Sequence, residues 1–265
     1  MQIRFIDAHL HLQDPRFGPD ATRVIARAET SGVCRFFCNA TSELDWSLVA
    51  ALAAGNSWVI PFLGIHPWFA EEAAVGWQER LVEMLASCSH GAGIGETGLD
   101  KSRPVDFSAQ QNLLQDHLEI GAETGLPLAL HCVKAWGPLL DLLKRFRAAG
   151  ARSPVMIHSF TGSFETMQRL VDLGCFLSYS SALIDPGNND LRETFCQTPS
   201  AALLLETDAP YSKIADRTGE NATIEPEAVT DLYYTAAELR TMHLADFSSL
   251  IWNNASIYAN RAFTR

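Results

Sequence analysis

The 265-residue chain is short of positive charge, lacks closely paired cysteines and contains no long apolar run, and each absence closes off a class of protein. Twenty lysines and arginines stand against 31 aspartates and glutamates, a formal net charge of −11. Such a surface repels polyanions at long range, which argues against avid nonspecific nucleic-acid binding while permitting a local positive site built by metal ions. The six cysteines, Cys34, Cys38, Cys88, Cys132, Cys175 and Cys196, include no CxxC pair. A chain this long needs no disulfide staples, so reduced thiols in a cytoplasm are expected. No stretch of eighteen or more uncharged apolar residues offers a membrane span, and the N-terminal segment reaches its polar residues too soon to read as a secretory signal. Low-complexity tracts, internal repeats and Pro-rich linkers are also missing, so residues 1–265 are expected to form one domain with no membrane and no evident obligate protein partner.

What is present is a regular alternation. Hydrophobic residues make up 47% of the chain, and short apolar runs alternate with longer amphipathic stretches from end to end. Eight runs read as strands: Ile3 to His11, Val33 to Ala40, Trp58 to Ile65, Ala92 to Gly98, Pro127 to His131, Pro154 to His158, Cys175 to Ser180 and Ala202 to Glu206. Between them, Phe107 to Thr124 and Trp136 to Ala149 carry apolar residues at helical spacing. Gly32, Gly125, Gly150 and Gly174 stand where a helix would stop before the next strand. Strand then helix, eight times over, predicts a (β/α)8 TIM barrel, with an open doubly wound sheet as the competing fold. Tyr211 to Pro226 reads as a long irregular loop.

Polar residues recur at the C-terminal ends of these strands: His9 and His11 on the first, His66 after the third, Glu96 on the fourth, His131 on the fifth, His158 on the sixth and Asp208 after the eighth. In a strand, side chains two apart share a face, so His9 and His11 can grip one ion together. Barrel strand ends converge on one mouth, and six ligands there, His66 not being counted as one, suit two divalent ions. Imidazole with carboxylate accepts zinc, manganese, iron or cobalt, and with enough water magnesium, so the metal is left open. Glu96 lies in an apolar run between Gly95 and Gly98, where an unpaired carboxylate would be costly and a cation partner is expected. Asp7 has the parity of His9 and His11 but lies deeper, and is read as a hydrogen-bonding group rather than a ligand. Cys132 and Ser159 follow ligand histidines and are expected to point away from the mouth, Cys132 as buried filler.

Six segments, Asp7-Ala8-His9-Leu10-His11, Gly64-Ile65-His66-Pro67, Gly95-Glu96-Thr97-Gly98-Leu99-Asp100, Leu130-His131-Cys132, His158-Ser159-Phe160-Thr161-Gly162-Ser163 and Glu206-Thr207-Asp208-Ala209-Pro210-Tyr211, resemble the TatD-like metal-dependent hydrolases, of the amidohydrolase-type barrels. They span nearly the whole chain in family order. The resemblance implies a (β/α)8 barrel with a dinuclear divalent-metal site that hydrolyses phosphodiester bonds, in several members those of DNA. It also implies that His9, His11 and Asp208 hold one ion, His131 and His158 the other, and Glu96 bridges them. Two ions about 3.5 to 4 Å apart polarise a phosphoryl oxygen and acidify a bound water. Asp208 would then be ligand and general base, with Glu96 setting the ion spacing. His66 and Lys134 are candidates for contact with substrate.

The chain departs from the family's pattern around the phosphate. Val133 stands where many members have an arginine, followed by Lys134; Lys101 stands where an aromatic commonly follows the Gly-Leu-Asp motif; and Arg217-Thr218-Gly219-Glu220-Asn221 replaces a more basic loop. The leading expectation is a nuclease acting on DNA or RNA ends. The alternatives are a hydrolase of a small amide, lactone or phosphate ester using the same centre, and a non-catalytic metal-binding protein.

Overall fold

Eight parallel strands, hydrogen-bonded in the order in which they occur in the chain, form the sheet. The computed structural model describes residues 3–18, 21–89, 91–211 and 223–260. The elements run β1 (Phe5–Leu10), α1 (Ala21–Thr30), β2 (Val33–Asn39), α2 (Trp46–Gly55), β3 (Val59–Leu63), α3 (Trp77–Ser87), β4 (Gly93–Asp100), α4 (Phe107–Thr124), β5 (Leu128–Val133), α5 (Trp136–Ala148), β6 (Val155–Ile157), α6 (Phe164–Asp172), β7 (Cys175–Tyr179), α7 (Asn189–Gln197), β8 (Leu203–Leu205), α8 (Val229–Leu239) and α9 (Leu244–Tyr258). The expected barrel is therefore what forms, and the open sheet is excluded because first and last strands meet. Leu10 bridges Ala209, His11 N–H donates to Ala209 O at 2.7 Å, and Asp208 N–H donates to His9 O at 3.0 Å.

The strands are covered on both faces, as parallel strands flanked by helices must be, which is why they read as continuous apolar runs rather than alternating ones. Phe36, Phe37, Phe62, Leu130, Leu177 and Leu204 are wholly buried. Tyr258, at the end of α9, packs its ring on Phe37, Phe62 and Phe176 from three strands, with centroids 5.7 to 5.8 Å apart. Helix α4 occupies the expected residues; it is capped at its start by Asp106, which accepts from Ala109 N–H at 2.7 Å, and stops at Gly125, whose φ of 71° a side chain would disfavour.

Six strand ends fall short of the expected boundaries by one or two residues, whereas β4 and β5 run two further. They stay paired through Gly98 with His131 and Asp100 with Val133, and Lys101 N–H then donates to Val133 O at 3.0 Å. Gly98 allows this approach: at its φ of 151° a Cβ would sit 2.0 Å from His131 O. Residues 217–221 and most of the expected 211–226 loop lie outside the described residues.

Candidate metal centre

The strand ends deliver their polar side chains to a cavity of about 390 Å³ at the C-terminal mouth, where barrel chemistry is placed. His11, His66, Glu96, His131, His158 and Asp208 line it, and His9 lies wholly buried beneath. Glu96 stands at the centre. Its Oε2 lies 3.3 Å from His9 Nε2 and 3.5 Å from His11 Nε2. Its Oε1 lies 2.9 Å from His131 Nδ1, 2.8 Å from His158 Nε2 and 3.4 Å from His66 Nε2. Asp208 Oδ1 completes the first group, 3.5 Å from His11 Nε2 and 3.9 Å from His9 Nε2. Ligands about 2.1 Å from a tetrahedral ion stand about 3.4 Å apart, close to these separations.

The proton positions implied by the outward hydrogen bonds sharpen the picture. His11 Nδ1–H donates to Asn39 O at 2.8 Å, His131 Nε2–H to Asp100 Oδ2 at 3.1 Å and His158 Nδ1–H to Glu206 Oε1 at 3.3 Å. In each neutral ring the opposite nitrogen is then a bare lone pair turned toward the Glu96 carboxylate, itself only an acceptor. His131 Nδ1 and His158 Nε2 are 3.0 Å apart. His9 has no hydrogen-bonding partner on either ring nitrogen among the described residues. A carboxylate faced by these ring nitrogens needs positive charge between them, supplied by protons on the rings or by a metal, and imidazoles braced from behind by a carboxylate or carbonyl are how proteins orient metal ligands. The donor set therefore fits divalent metal.

His66 is arranged differently. Its Nδ1 accepts Trp68 N–H at 3.2 Å, capping a 3-10 turn at Pro67–Glu72. The neutral ring must then carry its proton on Nε2, the atom facing Glu96 and the cavity, which makes it a donor rather than a ligand. It thus caps that turn and borders the cavity at the same time. Lys134 is exposed at the end of β5, with φ 54°, and is not on the cavity wall.

The titration of the cluster follows its geometry. Burial would raise Glu96, but the facing histidines, His158 and His66 foremost, hold it well below the usual carboxylate range. Burial opposes charge on His158 too, yet Glu96 and Glu206 lift it well above an ordinary imidazole. His66 is pushed down to about 4, chiefly by burial. Burial would raise Asp208, and hydrogen bonding to His11 with the nearby His158 and His9 brings it below its ordinary value.

Two buried carboxylates braced against the histidines escaped the sequence reading. Asp100 accepts Trp68 Nε1–H at 2.7 Å and Ser102 N–H at 2.6 Å besides His131. Glu206 accepts from Ser178 Oγ as well as His158. The signal was available: Asp100 is four residues from Glu96 and Glu206 two from Asp208, inside the motifs that carry the candidate ligands. Asp7 is the hydrogen-bonding group expected, accepting Thr207 N–H at 2.9 Å and Thr207 Oγ–H at 2.5 Å, and burial pushes its carboxyl up to about 8. Ser159 is a correction. Strand β6 stops at Ile157 and Ser159 takes φ 44°, so strand parity no longer holds and the residue borders the cavity. Cys132 borders it too, against the expectation that it points away; burial pushes its thiol up to about 12, too high for a nucleophile.

Comparison with known proteins gives one picture. Residues 6–259 match the family described as TatD related DNase. The uncharacterized metal-dependent hydrolase YjjV of Escherichia coli is 30% identical over 256 residues, 96% of this chain and 97% of that protein. The 3'-5' ssDNA/RNA exonuclease TatD of Yersinia pseudotuberculosis is 33% identical over 214 residues, 77% of this chain and 79% of its own. The crystal structure of the Escherichia coli TatD homologue YjjV superposes with a TM-score of 0.90 at 29% identity, covering 99% of this chain and all of that one.

Proposed function

The chain belongs to the TatD-related DNase family of metal-dependent hydrolases, and from that premise we propose that it cleaves phosphodiester bonds at the ends of single-stranded DNA or RNA, using two divalent ions. The observation that carries the reading is the division of Glu96: one oxygen toward His9 and His11, the other toward His131 and His158. In this reading His9, His11 and Asp208 would hold one ion and His131 and His158 the other, with Glu96 as the ligand they would share. When bound, the pair supplies Lewis-acid polarisation of a phosphoryl oxygen and a water acidified to near neutral pH.

The side chains divide the remaining work. Asp208, held below its usual range by the histidines beside it, is ionised near neutral pH and accepts the attacking water's proton on its carboxylate. Its φ of 57° is a strained setting for a non-glycine residue, fixed by Asp208 N–H donating to His9 O and by Tyr211 N–H donating to Asp208 O at 2.8 Å. His66 offers its Nε2 proton to a phosphoryl oxygen, its ring held by Trp68 N–H. Burial of the imidazole, which favours the neutral form, keeps that donor from becoming an imidazolium that would repel the ions. Lys134, outside the cavity wall, could reach only a part of the substrate beyond the scissile phosphate.

The test is to reconstitute the protein with manganese, zinc, magnesium, cobalt or ferrous ion in turn and to assay phosphodiesters, phosphomonoesters, amides and lactones side by side. Release of mononucleotides from single strands is expected; turnover confined to an amide or lactone would overturn the reading. Asp208→Asn, with metal content measured on the same sample, is expected to lower turnover by about 10²- to 10⁴-fold, the usual cost of a lost general base. Near-native turnover of metal-loaded Asp208→Asn would dismiss its role as proton acceptor.

A further inference from the structure

Charge is distributed unevenly around the mouth. On the β1 and β8 side Arg16 lies 4.1 Å over the Tyr211 ring, but its Nε and Nη2 donate to Asp14 at 2.9 and 2.7 Å, so that cation is neutralised where it stands. On the β4 side Arg103 lies 4.6 Å over the Trp68 ring and Lys101 4.4 Å over Phe107. Among the described residues neither has a hydrogen-bond or ion-pair partner. A guanidinium laid on an aromatic face keeps its N–H edge free, and that edge matches two oxygens of a phosphate.

The segment that carries these cations is held at both ends. Buried Gln110 of α4 accepts Asp100 N–H at 2.7 Å and donates to Asp100 O at 3.0 Å and Val105 O at 3.3 Å. Ser102 N–H returns to the Asp100 carboxylate. Lys101 is tied to Val133, an uncharged residue of the cavity wall, through its own N–H. The carboxylate that anchors Ser102 also receives Trp68 Nε1–H and His131 Nε2–H, so the cationic rim and a candidate metal ligand share one support.

We propose that the β4–α4 loop, through Arg103 and Lys101, holds the phosphate adjacent to the scissile one, and so makes a single strand, rather than an isolated diester, the preferred substrate. The proposal rests on the nuclease reading, because a flanking phosphate exists only in a polynucleotide. It assigns to one preorganised loop the substrate contact for which Lys134 was a candidate in the sequence.

Arg103→Gln, Lys101→Gln and the double variant are compared with Arg152→Gln, the same charge change in the α5–β6 loop at the far end of the barrel. Two readouts are taken. The first is the ratio of kcat/KM for a tetrathymidylate to that for bis(p-nitrophenyl) phosphate. The ratio is expected to fall about tenfold for each single rim variant, a typical loss for one charged contact, and to stay near wild type in Arg152→Gln. The second is binding of a fluorescein-labelled tetrathymidylate to Asp208→Asn protein at fixed manganese over a range of salt. One phosphate neutralised by the loop gives a slope of log affinity on log salt of about −0.7, which is expected to approach zero in the double variant.

Equal ratios and unchanged slopes in the rim variants, or effects no larger than those of Arg152→Gln, would overturn the rim. So would a wild-type protein that cleaves the small diester yet gains nothing from a longer strand. If no phosphodiester is cleaved but the labelled strand binds with the expected slopes, the nuclease reading fails while the rim stands.

Discussion

At the scale of single residues, what distinguishes the centre from an ordinary buried polar cluster is where the protons sit. A histidine that merely satisfies a core donates at one nitrogen and accepts at the other, as His117 does. His11, His131 and His158 donate only outward, to Asn39 O, Asp100 and Glu206, and turn lone pairs inward. Asp100 therefore matters without touching an ion. Asp100→Asn can place its amide N–H where the carboxylate accepted from His131, which disfavours the tautomer needed for ligation. Metal affinity is expected to fall about 10- to 100-fold, read by competition with a chromogenic chelator. Unchanged affinity would mean that His131 is oriented by its strand alone.

At the scale of elements, helix α4 fixes the ends of two strands. His117 Nδ1–H donates to Leu113 O at 2.7 Å while Nε2 accepts Ile65 N–H at 3.2 Å, one residue before His66. Trp77 stacks on the ring at 4.5 Å and Thr97 Oγ lies 3.3 Å from Nδ1. Burial among these uncharged groups pushes the imidazole down to about 4 from 6.5. A folded-state value below the unfolded one means that the unfolded chain takes up the proton first as pH falls. The stability His117 contributes is thus complete above about pH 6.5 and is lost progressively down to about pH 4, a total of about 3 kcal/mol. His117→Gln supplies one donor and one acceptor but does not titrate. In urea unfolding from pH 7 to 4, wild type is expected to lose about 3 kcal/mol more than the variant, the metal-site groups being common to both. Parallel pH profiles would show that His117 is not the titrating group.

At the scale of the whole molecule, the seam of the barrel and the centre are the same contacts. Closure runs through Leu10 with Ala209, Asp208 with His9 O, and Asp7 with Thr207, so the first and last motifs of the chain are joined where their side chains would share an ion. Metal bound there should therefore tie together the ends of the fold. Ions at about 100 times their dissociation constant contribute about 2.7 kcal/mol for each site. For a chain of this size each kcal/mol moves the melting temperature by about 2–4 °C, so a chelator is expected to lower it by about 5–10 °C for one vacated site. A melting curve indifferent to chelator and to added divalent ion would show that the folded chain binds no such ion in preference to the unfolded one. The acidic whole and the cationic β4–α4 loop are compatible, because one loop decides local phosphate binding while net charge decides long-range attraction.

The sequence by itself determined the alternation of strand and helix, hence the barrel, because apolar runs and amphipathic stretches are local patterns that only one architecture repeats eight times. It also determined which residues gather at the mouth: the parity of His9 with His11 and the recurrence of His and carboxylate at strand ends are written along the chain. Tertiary structure alone decided which oxygen of Glu96 faces which histidines, that His66 is a donor, and that Asp100 and Glu206 stand behind His131 and His158. Those are matters of hydrogen-bond partnership between strands, and partnership across a barrel depends on register and closure rather than on spacing. The continuation of β4 and β5 past their expected ends belongs to the same class. It follows from a backbone approach at Gly98 that no pattern within either strand encodes, and it sets Lys101 beside Val133.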